Sequence, residues 1–154
     1  MSQFDLVVRA GSVLDGTGSE PYTADIGVKD GVIQEIGRIN SKTHQEVDAD
    51  GAIVTPGFVD IHTHYDGQAT WSNRMSPSSH HGVTTAVMGN CGVGFAPVRA
   101  EDHDLLIELM EGVEDIPGVA LHEGLSWDWE SFEDYMDHLS ARQFDMDIGA
   151  QLPH

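Results

Sequence analysis

The sequence predicts an α/β chain, with a β-rich N-terminal segment followed by a parallel sheet of strands alternating with helices. Three observations carry this. Residues 4–56 are short β-prone runs separated by turns rich in Gly and Asp. Pro56-Gly57 then marks a boundary. Beyond it, apolar runs of strand length alternate with segments whose apolar residues recur at helical spacing. The expected domains are residues 1–56, β-rich, and residues 57–154, α/β.

Each element has its own signal. Phe4–Arg9 is a β-rich run closed by Ala10-Gly11; Val13-Leu14 follows, then the turn cluster Asp15-Gly16-Thr17-Gly18. Asp25–Lys29 alternates polar and apolar residues. Asp30-Gly31 is a type I′ hairpin signal, because both residues tolerate positive φ. Val32–Ile36 is the returning strand, ended by Gly37. Gln45–Asp48 and Ala52–Thr55 read as two further strands around Asp50-Gly51. The segment is small for an independent domain.

After the boundary, Phe58–Ile61 reads as a short buried strand and Val83–Met88 as a second, rich in β-branched residues. Asp102–Glu111 has Leu105, Leu106, Leu109 and Met110 on one helical face. A long loop, Glu111–Trp129, follows. Ser131–Leu139 reads as a helix with Ser131 as N-cap and Asp134 completing a capping box. Met146–Leu152 is the expected third strand. This alternation favours right-handed crossovers between parallel strands.

Composition narrows the function. The 154 residues include 7 Lys+Arg against 26 Asp+Glu, a formal charge of −19. The excess is concentrated late: residues 101–154 hold 15 acids and one base, Arg142, against 11 and 6 in residues 1–100. So negative a surface repels nucleic-acid backbones and anionic membranes. The single cysteine, Cys91, forms no intrachain disulfide. No basic leader precedes an apolar stretch, and no apolar run approaches the ~18 residues of a membrane span. A cytoplasmic protein is the expectation.

Two motifs carry chemistry. The first is His62-Thr63-His64, at the C-terminal end of the Phe58–Ile61 strand and followed by Asp66. Residues two apart on a strand point to the same side, so both imidazoles can reach one metal ion. The plain alternative is a chance pairing among nine histidines. The second is Gly89-Asn90-Cys91-Gly92-Val93-Gly94, directly after the Val83–Met88 strand. Its glycines allow a sharp turn that presents Cys91, as a metal ligand, a nucleophile or a small buried residue. It lacks the Gly-Lys-Ser/Thr ending of a phosphate loop.

The run Val54-Thr55-Pro56-Gly57-Phe58-Val59-Asp60-Ile61-His62-Thr63-His64 resembles the first barrel strand of the amidohydrolase superfamily. His81-Gly82-Val83-Thr84-Thr85 leading to Gly89-Asn90-Cys91-Gly92 is similar to the N-acyl-D-amino-acid deacylase (D-aminoacylase) branch. Met110–Pro117 and Trp127–Phe132 also resemble a subgroup of that branch. The resemblance implies β-sandwich strands over residues 1–56, then the first three strand–helix units of a TIM-type barrel. A complete barrel of that kind needs roughly 200 residues or more, so an incomplete one is expected. It implies zinc, one or two ions, held by His62, His64 and Cys91. Asp66 and His154 become candidates for substrate contact, His154 at the mouth of the third strand. The implied reaction is hydrolysis of an N-acyl-D-amino acid.

The general base and the later histidine ligands of that family are expected outside this chain. The alternatives are a truncated or split chain that needs the rest of the barrel, and a cyclic-amide hydrolase of the hydantoinase or dihydroorotase kind. The latter typically uses a carboxylated lysine on a later strand instead of a cysteine, and the Gly89-Asn90-Cys91-Gly92 turn argues against it. A cysteine-nucleophile hydrolase leaves His62 and His64 unexplained. Three strands of a barrel leave open edges, with Val59, Ile61, Val83, Val87, Ile148 and Leu152 at risk of exposure. Six such side chains forgo on the order of 10 kcal/mol of burial. Self-association or a second chain is therefore expected to cover them.

Overall fold

The computed structural model describes residues 3–153. The chain divides into two compact units between Pro56 and Gly57.

The first unit is a single five-stranded sheet: β1 (Leu6–Val13), β2 (Tyr22–Lys29), β3 (Val32–Gly37), β4 (Gln45–Asp48) and β5 (Ile53–Val54). β1 is central, antiparallel to β2 on one side and parallel to β4 and β5 on the other. β3 returns antiparallel to β2 through Asp30 (φ 51°) and Gly31 (φ 76°), the positive pair a type I′ turn demands. Ala10-Gly11 does not close the first strand as expected; β1 runs through it with a bulge. The register slips between Val8 and Gly11, and Ala10 takes a φ of 52°. The Ala10 amide stays satisfied by donating to the Asp25 carboxylate at 2.9 Å.

Arg9 ties this sheet together. Its guanidinium donates to Asp25 Oδ2 (3.3 Å), Glu46 Oε1 (2.6 Å) and the carbonyls of Ile39 (2.5 Å) and Ser41 (2.7 Å). A small core of Phe4, Val7 and Ile39 lies against Gly27, where a Cβ would come within 2.7 Å of the Phe4 ring. Ile33 and Ile36 on β3 remain exposed.

The second unit is built on three parallel strands in the order β6 (Phe58–Thr63), β7 (Val83–Met88) and β8 (Asp147–Ala150). Four helices accompany them: α1 (Gln68–Trp71), α2 (His103–Glu114), α3 (Gly118–Gly124) and α4 (Phe132–Ser140). α1 and α3 were not legible as helices. α1 is a single turn, and α3 lies within the expected loop. Pro117 precedes α3, and among its residues only Leu121 is buried, so it shows no apolar stripe. α4 starts as its sequence requires. Ser131 Oγ accepts from the Asp134 amide, and the Asp134 carboxylate accepts from the Ser131 amide.

The core of this unit gathers Met75, Met88, Phe95, Met110, Leu121, Trp129 and Tyr135 from the helices, β7 and the intervening loops. Trp129 Nε1 donates to the Phe95 carbonyl at 2.7 Å, which satisfies its one buried donor. Phe58, Val59 and Ile61 are 61%, 60% and 69% exposed, so Phe58–Ile61 is not the buried strand expected, while the exposure expected of Val59 and Ile61 at an open edge is found. Leu152 is exposed as well, whereas Val83, Val87 and Ile148 are half-buried.

The α4 cap gives a test of the local energetics. Ser131→Ala removes the acceptor for the Asp134 amide and is expected to cost about 1 kcal/mol. A lowered midpoint of chemical denaturation, with unchanged helical circular dichroism at low denaturant, is the expected result.

Candidate metal centre

β6 and β7 are parallel, with Thr63 paired to Met88, so both strands end at the same level of the sheet. The register of β6 against β7 slips between Asp60 and Thr63. Thr63 turns inward, buried, and its hydroxyl donates to the Val87 carbonyl at 3.3 Å. His62 and His64 fall on the other side. Their ring centroids are 5.5 Å apart and tilted by 53°. The His62 amide donates to Asp60 Oδ1 at 3.1 Å, which steadies the strand end.

The turn after β7 supplies the third group. Gly89 (φ 82°) reverses the chain, and a Cβ there would come within 2.5 Å of the Gln151 carbonyl. Asn90 Nδ2 donates to the Val87 carbonyl at 2.8 Å, folding the turn back on the strand. Cys91 is exposed at the tip. Its Sγ lies 3.2 Å from His62 Nε2 and 3.5 Å from His64 Nε2. The three donor atoms all fall within 4.8 Å of one another.

Two imidazole nitrogens and one sulfur in such a cluster form a borderline-soft donor set of the kind zinc takes, with bonds of roughly 2.0–2.3 Å. The residues present therefore fit a zinc ion. Three protein ligands also leave a coordination position open.

Below this cluster lies a pair of buried acids. Asp66, two residues beyond His64, is 4% exposed. Burial pushes it up to about 6, opposed by the backbone amides of Asp66 itself and Gly89, which donate toward it. Glu114, at the end of α2, is 8% exposed. Its Oε2 accepts from the Gly67 amide at 3.4 Å, and its Oε1 has no partner among the described residues. Burial first, and the Asp66 charge second, push Glu114 up to about 8. Tyr135, also buried, donates its hydroxyl to the Asp66 carbonyl at 2.8 Å.

The sequence-predicted residues thus divide. His62, His64 and Cys91 come together. Asp66 is placed beneath them, inside the protein. The expectation for His154 lies outside the described residues. Glu114 was missed, yet its position carried a signal: it shares the buried face of α2 with Ile107 and Met110, where a carboxylate is out of place.

Residues 45–154 match the profile of an amidohydrolase family. The chain belongs to the amidohydrolase family. It is 34% identical over 152 residues to D-aminoacylase of Alcaligenes xylosoxydans xylosoxydans, covering 98% of this chain and 29% of that protein. A solved D-aminoacylase structure, described as having a binuclear metal centre, superposes with a TM-score of 0.79 at 32% identity. It covers 98% of this chain and 30% of its own. N-acyl-D-glutamate deacylase from Bordetella bronchiseptica, solved with zinc and a phosphonate inhibitor, gives a TM-score of 0.72 at 30% identity, with the same coverage. The chain therefore spans less than a third of the amidohydrolases it matches.

Two outcomes test the site. Cobalt added to the protein is expected to produce a thiolate-to-cobalt charge-transfer band that Cys91→Ser abolishes. His62→Ala and His64→Ala are expected to weaken cobalt binding, as read by titration of the same band.

The second outcome concerns Glu114. Its value in the fold, about 8, lies above its ordinary 4.5. A neutral Glu114 therefore stabilises the fold fully below pH about 4.5, and that contribution is lost as pH rises through about 8. Asp66, raised from 3.8 to about 6, acts in the same direction at lower pH. Glu114→Gln is expected to flatten the upper part of this dependence and to stabilise the protein above pH 8 by a few kcal/mol, on the order set by linkage. Denaturation midpoints of both proteins across this range check it.

Proposed function

We propose that this chain supplies the first metal-binding part of a zinc-dependent N-acyl-D-amino-acid deacylase. The observation that carries the reading is the convergence of His62, His64 and Cys91 at the C-terminal ends of two adjacent parallel strands. That is the end of the sheet at which barrel enzymes place their chemistry. The likeness to D-aminoacylase and N-acyl-D-glutamate deacylase over 98% of the chain supports the substrate class.

In this reading, residues 1–56 form part of a composite β-sandwich, and residues 57–154 form the first three strand–helix units of a (β/α)₈ barrel. The exposed Phe58, Val59 and Ile61 then face the space that the remaining barrel fills. When bound, zinc supplies Lewis-acid polarisation of an amide carbonyl and activation of water at neutral pH. The chain's own residues set up that chemistry. His62 and His64 present ring nitrogens from the end of one strand, and Cys91 presents its sulfur from the neighbouring turn. Exposure of Cys91 and His62 leaves the cluster open to a substrate. The group that moves the proton to the leaving amine belongs to the later strands, as does the rest of the substrate pocket. A companion segment, in the same polypeptide or in another, is thus required for turnover.

The experiment compares the zinc-loaded chain alone with the same chain joined to the remaining portion of a D-aminoacylase. The joined protein is expected to release free amino acid from N-acetyl-D-amino acids and to leave the L-isomers intact. The chain alone is expected to show no turnover. Activity of the chain alone, or an inactive but folded and zinc-loaded joined protein, would overturn the reading.

A further inference from the structure

The two strand ends that carry the candidate ligands are bridged by a buried acid. Asp66 leaves β6 on the segment that holds His64, and its carboxylate faces the turn that holds Cys91. The Gly89 amide, at the start of that turn, donates toward it. At the turn's far end, a Cβ on Gly94 would come within 3.2 Å of Asp66 Oδ1. One carboxylate therefore borders both ends of a six-residue segment whose exposed middle is Cys91.

Such a turn needs bracing. Gly89 and Gly92 both take positive φ (82° and 74°), and glycine loses more conformational freedom on ordering than any other residue. Asn90 Nδ2 donates to the Val87 carbonyl, and the Gln151 amide donates to the Met88 carbonyl at 2.9 Å; both bonds lie on the turn's strand side. Asp66 itself is held from behind. Tyr135 grips its carbonyl, and Glu114 accepts from the amide of the next residue, Gly67. At 4% exposure, Asp66 presents almost no surface outward.

We propose that Asp66 is a positioning residue. Its buried carboxylate clamps the Gly89–Gly94 turn so that the Cys91 sulfur is held against the His62 and His64 nitrogens. Tyr135 and Glu114 brace the clamp from α4 and α2. This rests on the metal-centre reading above, and it assigns Asp66 a role other than contact with substrate. Partners that orient metal ligands in this way are typically worth about 10–100-fold in metal affinity.

The test uses the 154-residue chain. Without metal, amide hydrogen exchange across Gly89–Gly94 is measured for the parent protein, Asp66→Ala and Asp66→Asn. Exchange in this turn is expected to accelerate about tenfold or more in Asp66→Ala. It is expected to stay near the parent rate in Asp66→Asn, which keeps an acceptor oxygen. Cobalt titration of the same proteins is expected to show the thiolate band weakened and affinity lowered about 10–100-fold in Asp66→Ala, with recovery in Asp66→Asn. Unchanged exchange in a folded Asp66→Ala, or an Asn variant as loose as the Ala variant, would overturn the clamp.

Should Asp66→Ala not fold, Gly94→Ala decides, since it crowds the carboxylate while leaving Asp66 in place. Faster exchange of the turn supports the proposal, and unchanged exchange overturns it. A parent protein that gives no cobalt–thiolate band refutes the metal reading alone, because the exchange measurement still judges the clamp.

Discussion

The parallel pairing of β6 with β7 is the constraint on which the rest of the second unit depends. A parallel ladder brings two strands to their C-terminal ends on the same side of the sheet. Here it sets Thr63 beside Met88, so that whatever follows each strand emerges into one region. The histidines come from the last residues of one strand and the cysteine from the turn after the other. Cys91 Sγ is thereby brought within 3.2 Å of His62 Nε2 and 3.5 Å of His64 Nε2, 29 and 27 positions away in sequence. An antiparallel pair would have sent them to opposite ends.

What lies beneath the cluster is less ordinary. An apolar core is expected under a parallel sheet, and Met88, Phe95 and Met110 provide it. Asp66, Glu114 and Tyr135 are set into that core, and Glu114 Oε1 has no partner among the described residues. Burying such groups costs stability unless they are bonded or neutral. The raised values of both acids are the fold's response to that cost. Local sequence rules favour an apolar side chain at Glu114, and departures of this kind concentrate near functional sites.

Much of the fold was legible because its signals are local. Asp30-Gly31 demanded its turn, Ser131 and Asp134 their cap, and Val83–Met88 its strand. The meeting of His62, His64 and Cys91 was legible for a related reason. Alternation along a strand and a glycine-framed turn at the end of the next are both written in short stretches of sequence. What failed was tertiary. α3 has no amphipathic stripe to read. The bulge at Ala10 depends on Asp25, which is distant in sequence. Phe58 read as buried because an apolar strand reads the same whether or not its covering layer is present, whereas the exposure of Val59 and Ile61 was expected from an open sheet edge. Glu114 was overlooked because its meaning comes from Gly67 and Asp66, which only the folded chain brings near.

The central place of β1 in the first sheet has a consequence in time. Its antiparallel neighbour begins nine residues after it ends, at Tyr22, and β3 follows directly through a tight turn. Its other edge is filled only by β4 and β5, which pair Leu6 with Gln45 and Val13 with Val54 across some forty residues of chain. Closing a loop of that length costs more entropy than closing a hairpin, and such contacts form late. The meander β1–β2–β3 is therefore the seed of the unit. Arg9, reaching from β1 to Ile39, Ser41 and Glu46, is the latch that secures the last strands to arrive.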